Sequence, residues 1–289
     1  MLVRTPNWLG DGIMAGESIA GIIRKHPDTH LWCHPRVEGL FRFLFPRTPL
    51  ITLGEHLPKQ RFEKLLLLTS SFRSAFLGLK AGIPERIGFK AEKRSFILTH
   101  AVEPEKGRLR HHSLDYEILA DAVGCRAEPL NLPHARKPGN HLAVFPGARY
   151  GATKQWRGFP ECAALLGMNA VFYGTATERE LLRTMADRSG GGVEAGLAFP
   201  ELAERLSEAS VCIGNDSGGV HLAALLGVPT VAVFCSTSPE WTGPRGKRVV
   251  SLESGSDCSP CFRRTCTNGS YACVEGISPE DVVRAVRSV

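Results

Sequence analysis

The sequence predicts an α/β protein of two Rossmann-like domains joined near residue 137. Three observations predict it. The chain of 289 residues is long for one core, since domains of roughly 100–150 residues are the usual unit. Short β-rich runs alternate with helical ones, the pattern of a parallel sheet with crossover helices. The alternation stops at HARKPGN, residues 134–140, a basic Pro/Gly segment without apolar period, and then restarts. The expected boundaries are an N-terminal domain over 1–136, a C-terminal domain over 137–277, and a helix over 278–289 packing back on the N-terminal domain.

Taken in order, Met1 to Thr5 reads as a strand, Pro6 to Gly12 as a turn, and Ile13 to Lys25 as a helix. Leu31 to His34 and Leu65 to Leu68 read as strands, the latter followed by a polar loop, Thr69 to Arg73. After the linker come strands at Leu142–Phe145 and Ala170–Phe172, with helices at Pro160–Leu166 and Glu178–Ala186. A helix at Glu201–Ala209, a strand at Val211–Gly214, a helix at Gly219–Leu226 and a strand at Thr230–Phe234 complete the alternation. The last segment opens with Ser278-Pro279-Glu280-Asp281, an N-cap, a proline at the first helical position and acids in the first turn. In open α/β sheets ligands bind beyond the carboxyl ends of the strands, so the cleft between two such domains is the place to look for function.

Apolar residues make up 43% and charged residues 22%, an ordinary globular composition. No apolar run approaches the ~20 residues that span a bilayer. The start, MLVRTPNWLGDG, lacks a signal-peptide pattern because Arg4 interrupts it and no long apolar stretch follows. These features predict a cytoplasmic protein, or one on the cytoplasmic face of a membrane. A net charge of +6 suits nucleic acid, anionic lipid head groups or phosphorylated sugars, and is also common in soluble proteins generally. The nine cysteines fall into two sets. Cys33, Cys125, Cys162, Cys212 and Cys235 are scattered and read as small buried hydrophobes. Cys258, Cys261, Cys266 and Cys273 form a C-x2-C-x4-C-x6-C cluster. In a reducing compartment that suggests a structural metal, zinc or iron-sulfur, before a disulfide, although the spacing is not that of a zinc ribbon.

The most informative stretch is ASVCIGNDSGGVHLAALLGVPTVAVF, residues 209–234. A strand ends at Gly214, and Asn215, Asp216, Ser217, Gly218 and Gly219 form the junction to a helix. Free N–H groups and the helix dipole favour an anion there, and glycine lets it approach the backbone. The alternative is an N-cap at Asp216 or Ser217, with glycines for tight packing. FPGARYGATKQW, residues 145–156, follows another strand and offers Lys154 as a point charge for phosphate. VFYGTATERE, residues 171–180, ends a strand at Gly174 and places Glu178 at the next helix start. That carboxylate suits ribose hydroxyls, or else complements its own helix dipole.

The string NDSGGVHLAALLGVPTVAVF followed by STSPEWTGP resembles the signature of the lipopolysaccharide heptosyltransferases, the family-9 glycosyltransferases. PGARYGATKQW resembles the family's diphosphate-binding segment and RTPNWLGDGIM its N-terminal motif. LLLTSSFRSAFLGLKAGIPERIGF, SPCFRRTC and ISPEDVV extend the resemblance, in order, over nearly the whole chain. Within the family, the NWLGD, SPEW and Cys-rich features most resemble the heptosyltransferase II branch. The resemblance implies a GT-B fold, two Rossmann-like domains facing across a cleft, with the donor held by the C-terminal one. It implies ADP-heptose as donor, a Kdo- or heptose-bearing lipid A acceptor, and inverting transfer.

The resemblance carries Asp11 over as the base that takes the acceptor hydroxyl's proton; read locally, Asp11 is equally a helix N-cap on a loop flanked by Gly10 and Gly12. Asp216 and His221 are carried over as donor contacts, and Leu197 is grouped with them. For His221 the alternative is a satisfied histidine inside the helix. No D-x-D carboxylate pair is present to hold a catalytic metal, and the site is expected to need no cofactor. Arg73, Arg86 and Lys90, with Lys93 and Arg94, are candidate contacts to an anionic acceptor. Flanked by Phe72, Phe76, Phe89 and Phe96, they also suit peripheral contact with an inner leaflet. The chain is some tens of residues shorter than the family suggests, and Trp156-Arg157-Gly158-Phe159-Pro160 stands where many relatives read Trp-Pro. Two rival classes remain: a non-catalytic nucleotide-sugar binder, disfavoured by Asp11, Lys154 and Asp216 occurring together, and a nucleic-acid binder using Arg263 and Arg264. No aromatic RNA-binding motif, helix-turn-helix or repeated zinc finger supports the second.

Overall fold

The structure, a computed structural model, describes residues 1–54, 57, 61–105, 107–108, 110–132, 136 and 139–289. His134, Ala135, Lys137 and Pro138 of the expected linker lie outside the described residues. The chain divides into two compact units, Met1–Pro133 and His134–Val289.

Unit 1 runs β1 (Leu2–Arg4), α1 (Leu9–Met14), α2 (Gly16–Lys25), β2 (His30–Cys33), α3 (Pro35–Leu44), β3 (Leu50–Thr52), β4 (Lys64–Leu67), α4 (Phe72–Lys80), β5 (Glu85–Phe89), β6 (His100–Val102) and α5 (Ser113–Asp121). Its strands pair in parallel in the order β3-β2-β1-β4-β5-β6. The central strands are apolar runs because helices cover both faces: Leu2, Leu31, Leu65, Leu66 and Leu67 are fully buried.

Unit 2 runs β7 (His141–Phe145), α6 (Phe159–Leu166), β8 (Asn169–Gly174), α7 (Arg179–Ser189), β9 (Gly192–Ala195), α8 (Phe199–Ser207), β10 (Ala209–Asn215), α9 (Gly218–Leu225), β11 (Thr230–Phe234), α10 (Pro239–Thr242), β12 (Val249–Glu253), α11 (Ala272–Glu275) and α12 (Pro279–Val286). Short 3-10 turns at Ala152–Lys154 and Ala176–Glu178 follow β7 and β8. Its sheet is β12-β11-β10-β7-β8-β9, again all parallel. Counted from the first strand of each unit, both sheets have the Rossmann order 3-2-1-4-5-6. Each therefore reverses direction once, between β1 and β4 and between β7 and β10. Connections leaving those neighbours run to opposite sides and open a crevice at their carboxyl ends.

One expectation is corrected here. The first helix starts at Leu9 rather than Ile13, so Asp11 sits in its first turn and not on a loop; the N-cap is Trp8, with no side-chain cap bond. Gly12 is buried against α3, where a Cβ would lie 2.7 Å from Leu40 Cδ2, so this glycine serves packing. The terminal helix α12 forms with the expected cap: Ser278 accepts from Asp281 N at 3.2 Å, and Asp281 returns the bond, a capping box. Its apolar residues Val282, Val283 and Ala285 join the unit 2 core, packed on α6 and β11.

Candidate active site

At the reversal point of unit 2, one buried side chain fixes the geometry. Asn215, the last residue of β10, donates from Nδ2 to Pro146 O at 2.7 Å and Trp156 O at 3.4 Å, and accepts from Trp156 N at 3.1 Å. Both ends of the loop 146–156 are thereby tied to β10. Trp156 is locked from the other side, donating from Nε1 to Ile277 O at 2.9 Å, and belongs to the unit 2 core. The loop so held carries Lys154 to Asp216, with which it forms an ion pair whose side chains are 12% and 5% exposed. Asp216 Oδ2 also accepts from Thr237 Oγ1 at 2.7 Å and Thr242 Oγ1 at 3.3 Å. A carboxylate taken from water needs such partners, and here three converge on one oxygen.

Ser217 is the N-cap of α9, but its side chain makes no cap bond. The alternative reading of Ser217 as a capping hydroxyl is therefore not realised, and the helix dipole opens beside the half-buried Ser217 and Gly218. Gly219 follows the packing alternative: a Cβ there would lie 2.2 Å from Phe145 Cδ1. Lacking it, α9 lies directly against the end of β7. His221 is buried, at 4% exposure, one turn into α9. Glu178 closes a capping box, its Oε2 accepting from Thr175 N at 2.8 Å and Thr175 Oγ1 at 2.7 Å. Its Oε1 lies against the loop after β7, where a Cβ on Gly147 would be 2.1 Å away. Leu197, half-buried, follows β9. Lys154, Asp216, Ser217, Gly218, Gly219, Glu178 and Leu197 thus all lie at the carboxyl ends of β7 to β10.

The cysteine-rich segment braces this loop. Phe262 N donates to Ser236 O at 2.7 Å, Thr153 Oγ1 to Arg263 O at 2.5 Å, and Tyr150 OH to Phe262 O. Burial above all, with Cys258, Cys261 and Cys266 adding to it, pushes the Cys273 thiol up. Cys266 is pulled down, first by the Tyr271 backbone N–H and then by those of Asn268 and Gly269. Among the described residues no three His, Cys, Asp or Glu side chains are grouped so as to hold a metal ion.

At the reversal point of unit 1, Arg4 ends β1 fully buried. It donates to Thr5 O at 2.6 Å, Trp32 O at 3.1 Å and Asn7 Oδ1 at 2.5 Å, and burial lowers its pKa to about 10. It stays cationic at neutral pH and fixes the turn leading to α1. Asp11 faces α5: His112 Nε2 is 3.6 Å from its Oδ1, and the Tyr116 hydroxyl hydrogen-bonds its carboxylate. Of the expected acceptor contacts, Arg73 is exposed on α4. Lys90 is paired with Glu103, both side chains well exposed. Arg86 is committed to backbone carbonyls, Ile97 O at 2.8 Å, Ile83 O at 2.5 Å and Pro84 O at 3.0 Å. Arg94 is corrected outright: it is fully buried and donates to Thr69 O at 2.6 Å, Ser71 O at 3.2 Å and Phe89 O at 3.1 Å. It shapes the loop after β4 rather than a surface.

Sequence reading missed Arg4, Thr237, Thr242, His112, Asp115 and Tyr116. An arginine inside an apolar strand, and two histidines followed by an acid in RHHSLDYE, are the signals that would have found Arg4 and the α5 group.

Two all-parallel Rossmann units are the architecture of GT-B glycosyltransferases, whose solved structures this chain matches. The model of glycosyltransferase family 9 (heptosyltransferase) matches residues 50–272. The chain belongs to this family and is a glycosyltransferase. It is 24% identical to lipopolysaccharide heptosyltransferase 2 of Escherichia coli strain K12, over 88% of each chain. It is 34% identical to lipopolysaccharide heptosyltransferase 1 of Pseudomonas aeruginosa over a shorter match, 58% of this chain and 49% of that protein. Among solved structures, E. coli ADP-heptose LPS heptosyltransferase II superposes with a TM-score of 0.80 at 22% identity, covering 99% of this chain and 97% of that one. A family-9 glycosyltransferase from Veillonella parvula gives 0.81 at 20% identity, covering 99% and 96%. No described helix is long and apolar enough to cross a membrane.

Proposed function

We propose that the protein transfers heptose from ADP-L-glycero-D-manno-heptose to the inner core of lipopolysaccharide with inversion, acting as a heptosyltransferase II on a heptose-terminated acceptor. Unit 2 is the donor domain and unit 1 the acceptor domain in this reading. One observation carries the donor assignment: Lys154 and Asp216 are paired beside the uncapped start of α9, at the reversal point of the sheet. The N–H groups and dipole of α9 attract the diphosphate, and Asp216 holds the Lys154 ammonium where it reaches the same oxygens. Glu178 and Leu197, after β8 and β9, are assigned to the nucleoside in this reading, and His221 to the donor.

Asp11 takes the proton of the acceptor hydroxyl as its oxygen bonds to the anomeric carbon. The bond from that carbon to the ADP oxygen breaks on the opposite face, and ADP leaves with the electron pair. The charge that develops on ADP meets the α9 terminus and Lys154. No metal is required in this scheme. Arg73, on α4 beside the exposed Phe72, Phe76 and Phe96, suits an anionic acceptor at a cytoplasmic membrane face. Full transfer in excess chelator is the expected result, and its loss without unfolding would contradict the metal-free scheme. Calorimetry with ADP and AMP tests the donor site: Lys154→Ala should weaken ADP more than AMP. Equal affinity of wild type and variant for ADP would remove Lys154 from the diphosphate site.

A further inference from the structure

Behind Asp11 the structure holds an ordered polar array that the mechanism above leaves unused. His112 precedes α5, and Asp115 and Tyr116 lie in its first turns. His112 Nδ1 is 2.7 Å from Asp115 Oδ2, and its Nε2 is 3.1 Å from the Tyr116 hydroxyl. Arg110 Nη2 donates to the other oxygen of Asp115 at 2.6 Å, and its Nε to Glu105 Oε2 at 2.7 Å. Tyr116, 4% exposed, hydrogen-bonds Asp11. α1 and α5 pack together within the unit.

Counting protons sets the direction of every bond. A carboxylate only accepts, so the single Tyr116 proton is given to Asp11. The phenol oxygen then accepts from His112 Nε2–H. Asp115 holds the other ring nitrogen, Nδ1. The chain of contacts therefore runs from Arg110 and Asp115 through His112 and Tyr116 to the Asp11 carboxylate.

We infer that His112 and Tyr116 are positioning residues for the base: they fix the orientation of the Asp11 carboxylate and stabilise its ionised form without touching substrate. The inference rests on the reading of Asp11 as the base. It gives α5 a function beyond closing the unit 1 layer, and it makes the RHHSLDYE segment part of the active site.

The test is steady-state transfer from ADP-heptose to a heptose-terminated acceptor by Tyr116→Phe, His112→Gln and Asp11→Asn, alone and combined, with thermal unfolding of each. A misplaced base costs about ten- to a hundred-fold in kcat, with KM for both substrates within about two-fold of wild type. Because the two residues act through Asp11, neither substitution should lower the residual rate of Asp11→Asn any further. If Tyr116→Phe unfolds the unit, His112→Gln carries the test. Wild-type kcat in His112→Gln and Tyr116→Phe, beside an inactive Asp11→Asn, overturns the positioning role and leaves the base in place. Losses confined to KM, or additive with Asp11→Asn, overturn it too. A fully active Asp11→Asn instead overturns the base assignment itself, and the inference with it.

Discussion

Replacing Lys154 by methionine keeps most of the side-chain volume and removes the ammonium from a pair whose members are 12% and 5% exposed. Asp216 is then a buried carboxylate with two hydroxyl donors, Thr237 at 2.7 Å and Thr242 at 3.3 Å. Breaking a buried pair on one side costs about 3–5 kcal/mol, and the surviving hydroxyl bonds put this case near the lower figure. At about 2–4 °C per kcal/mol for a unit of this size, a loss of about 3 kcal/mol lowers the melting temperature by roughly 6–12 °C. Adding Asp216→Asn removes the orphaned charge, so the double variant should recover most of the loss, as paired removal of buried ions commonly does. Scanning calorimetry of wild type, Lys154→Met and Lys154→Met/Asp216→Asn reads all three. The reasoning fails if Lys154→Met melts with the wild type, or if Asp216→Asn deepens the loss.

Two further predictions follow from packing and from thiol chemistry. Gly219→Ala should destabilise the protein by about 1–3 kcal/mol, because the new methyl group meets the Phe145 ring and α9 must move; an unchanged denaturation midpoint would contradict that contact. Native-state alkylation with iodoacetamide should label Cys266 first, its thiolate held by backbone N–H groups, and Cys162, Cys212 and Cys235 last, since burial pushes their thiols up. Equal labelling of the buried cysteines by mass spectrometry would refute the assigned environments.

The parts of the fold visible in the sequence are those with strong local codes. Thr230–Phe234 is five consecutive apolar or β-branched residues, and it is the buried strand β11. Ser278-Pro279-Glu280-Asp281 spells out a helix start, and the capping box is there. What escaped reading lacked such a code. β5, Glu85–Phe89, mixes two charges and a glycine into its five residues, and it is a strand only because β4 and β6 flank it. α1 begins at a tryptophan with no capping side chain and contains two glycines, so local propensity reads it as a turn. The residues proposed for the donor site were named one by one from the sequence, but the pairing of two of them was not. Lys154 and Asp216 are 62 positions apart, and long-range bonds such as those of Asn215 to the loop ends bring them together. The same holds for Arg94, whose basic neighbours suggest a surface patch while the β4–α4 turn encloses it.

The account rests on a glycosyl transfer in which Asp11 is the base and the α9 junction holds the donor. The most direct measurement is the rate of heptose transfer from ADP-heptose to a heptose-terminated core acceptor, by wild type and by Asp11→Ala, with ADP affinity measured on the same preparations. Turnover in the wild type, none in Asp11→Ala, and equal ADP affinity in the two is the predicted result. Undiminished turnover in Asp11→Ala, or no transfer from ADP-heptose by a wild-type protein that is folded, would contradict it.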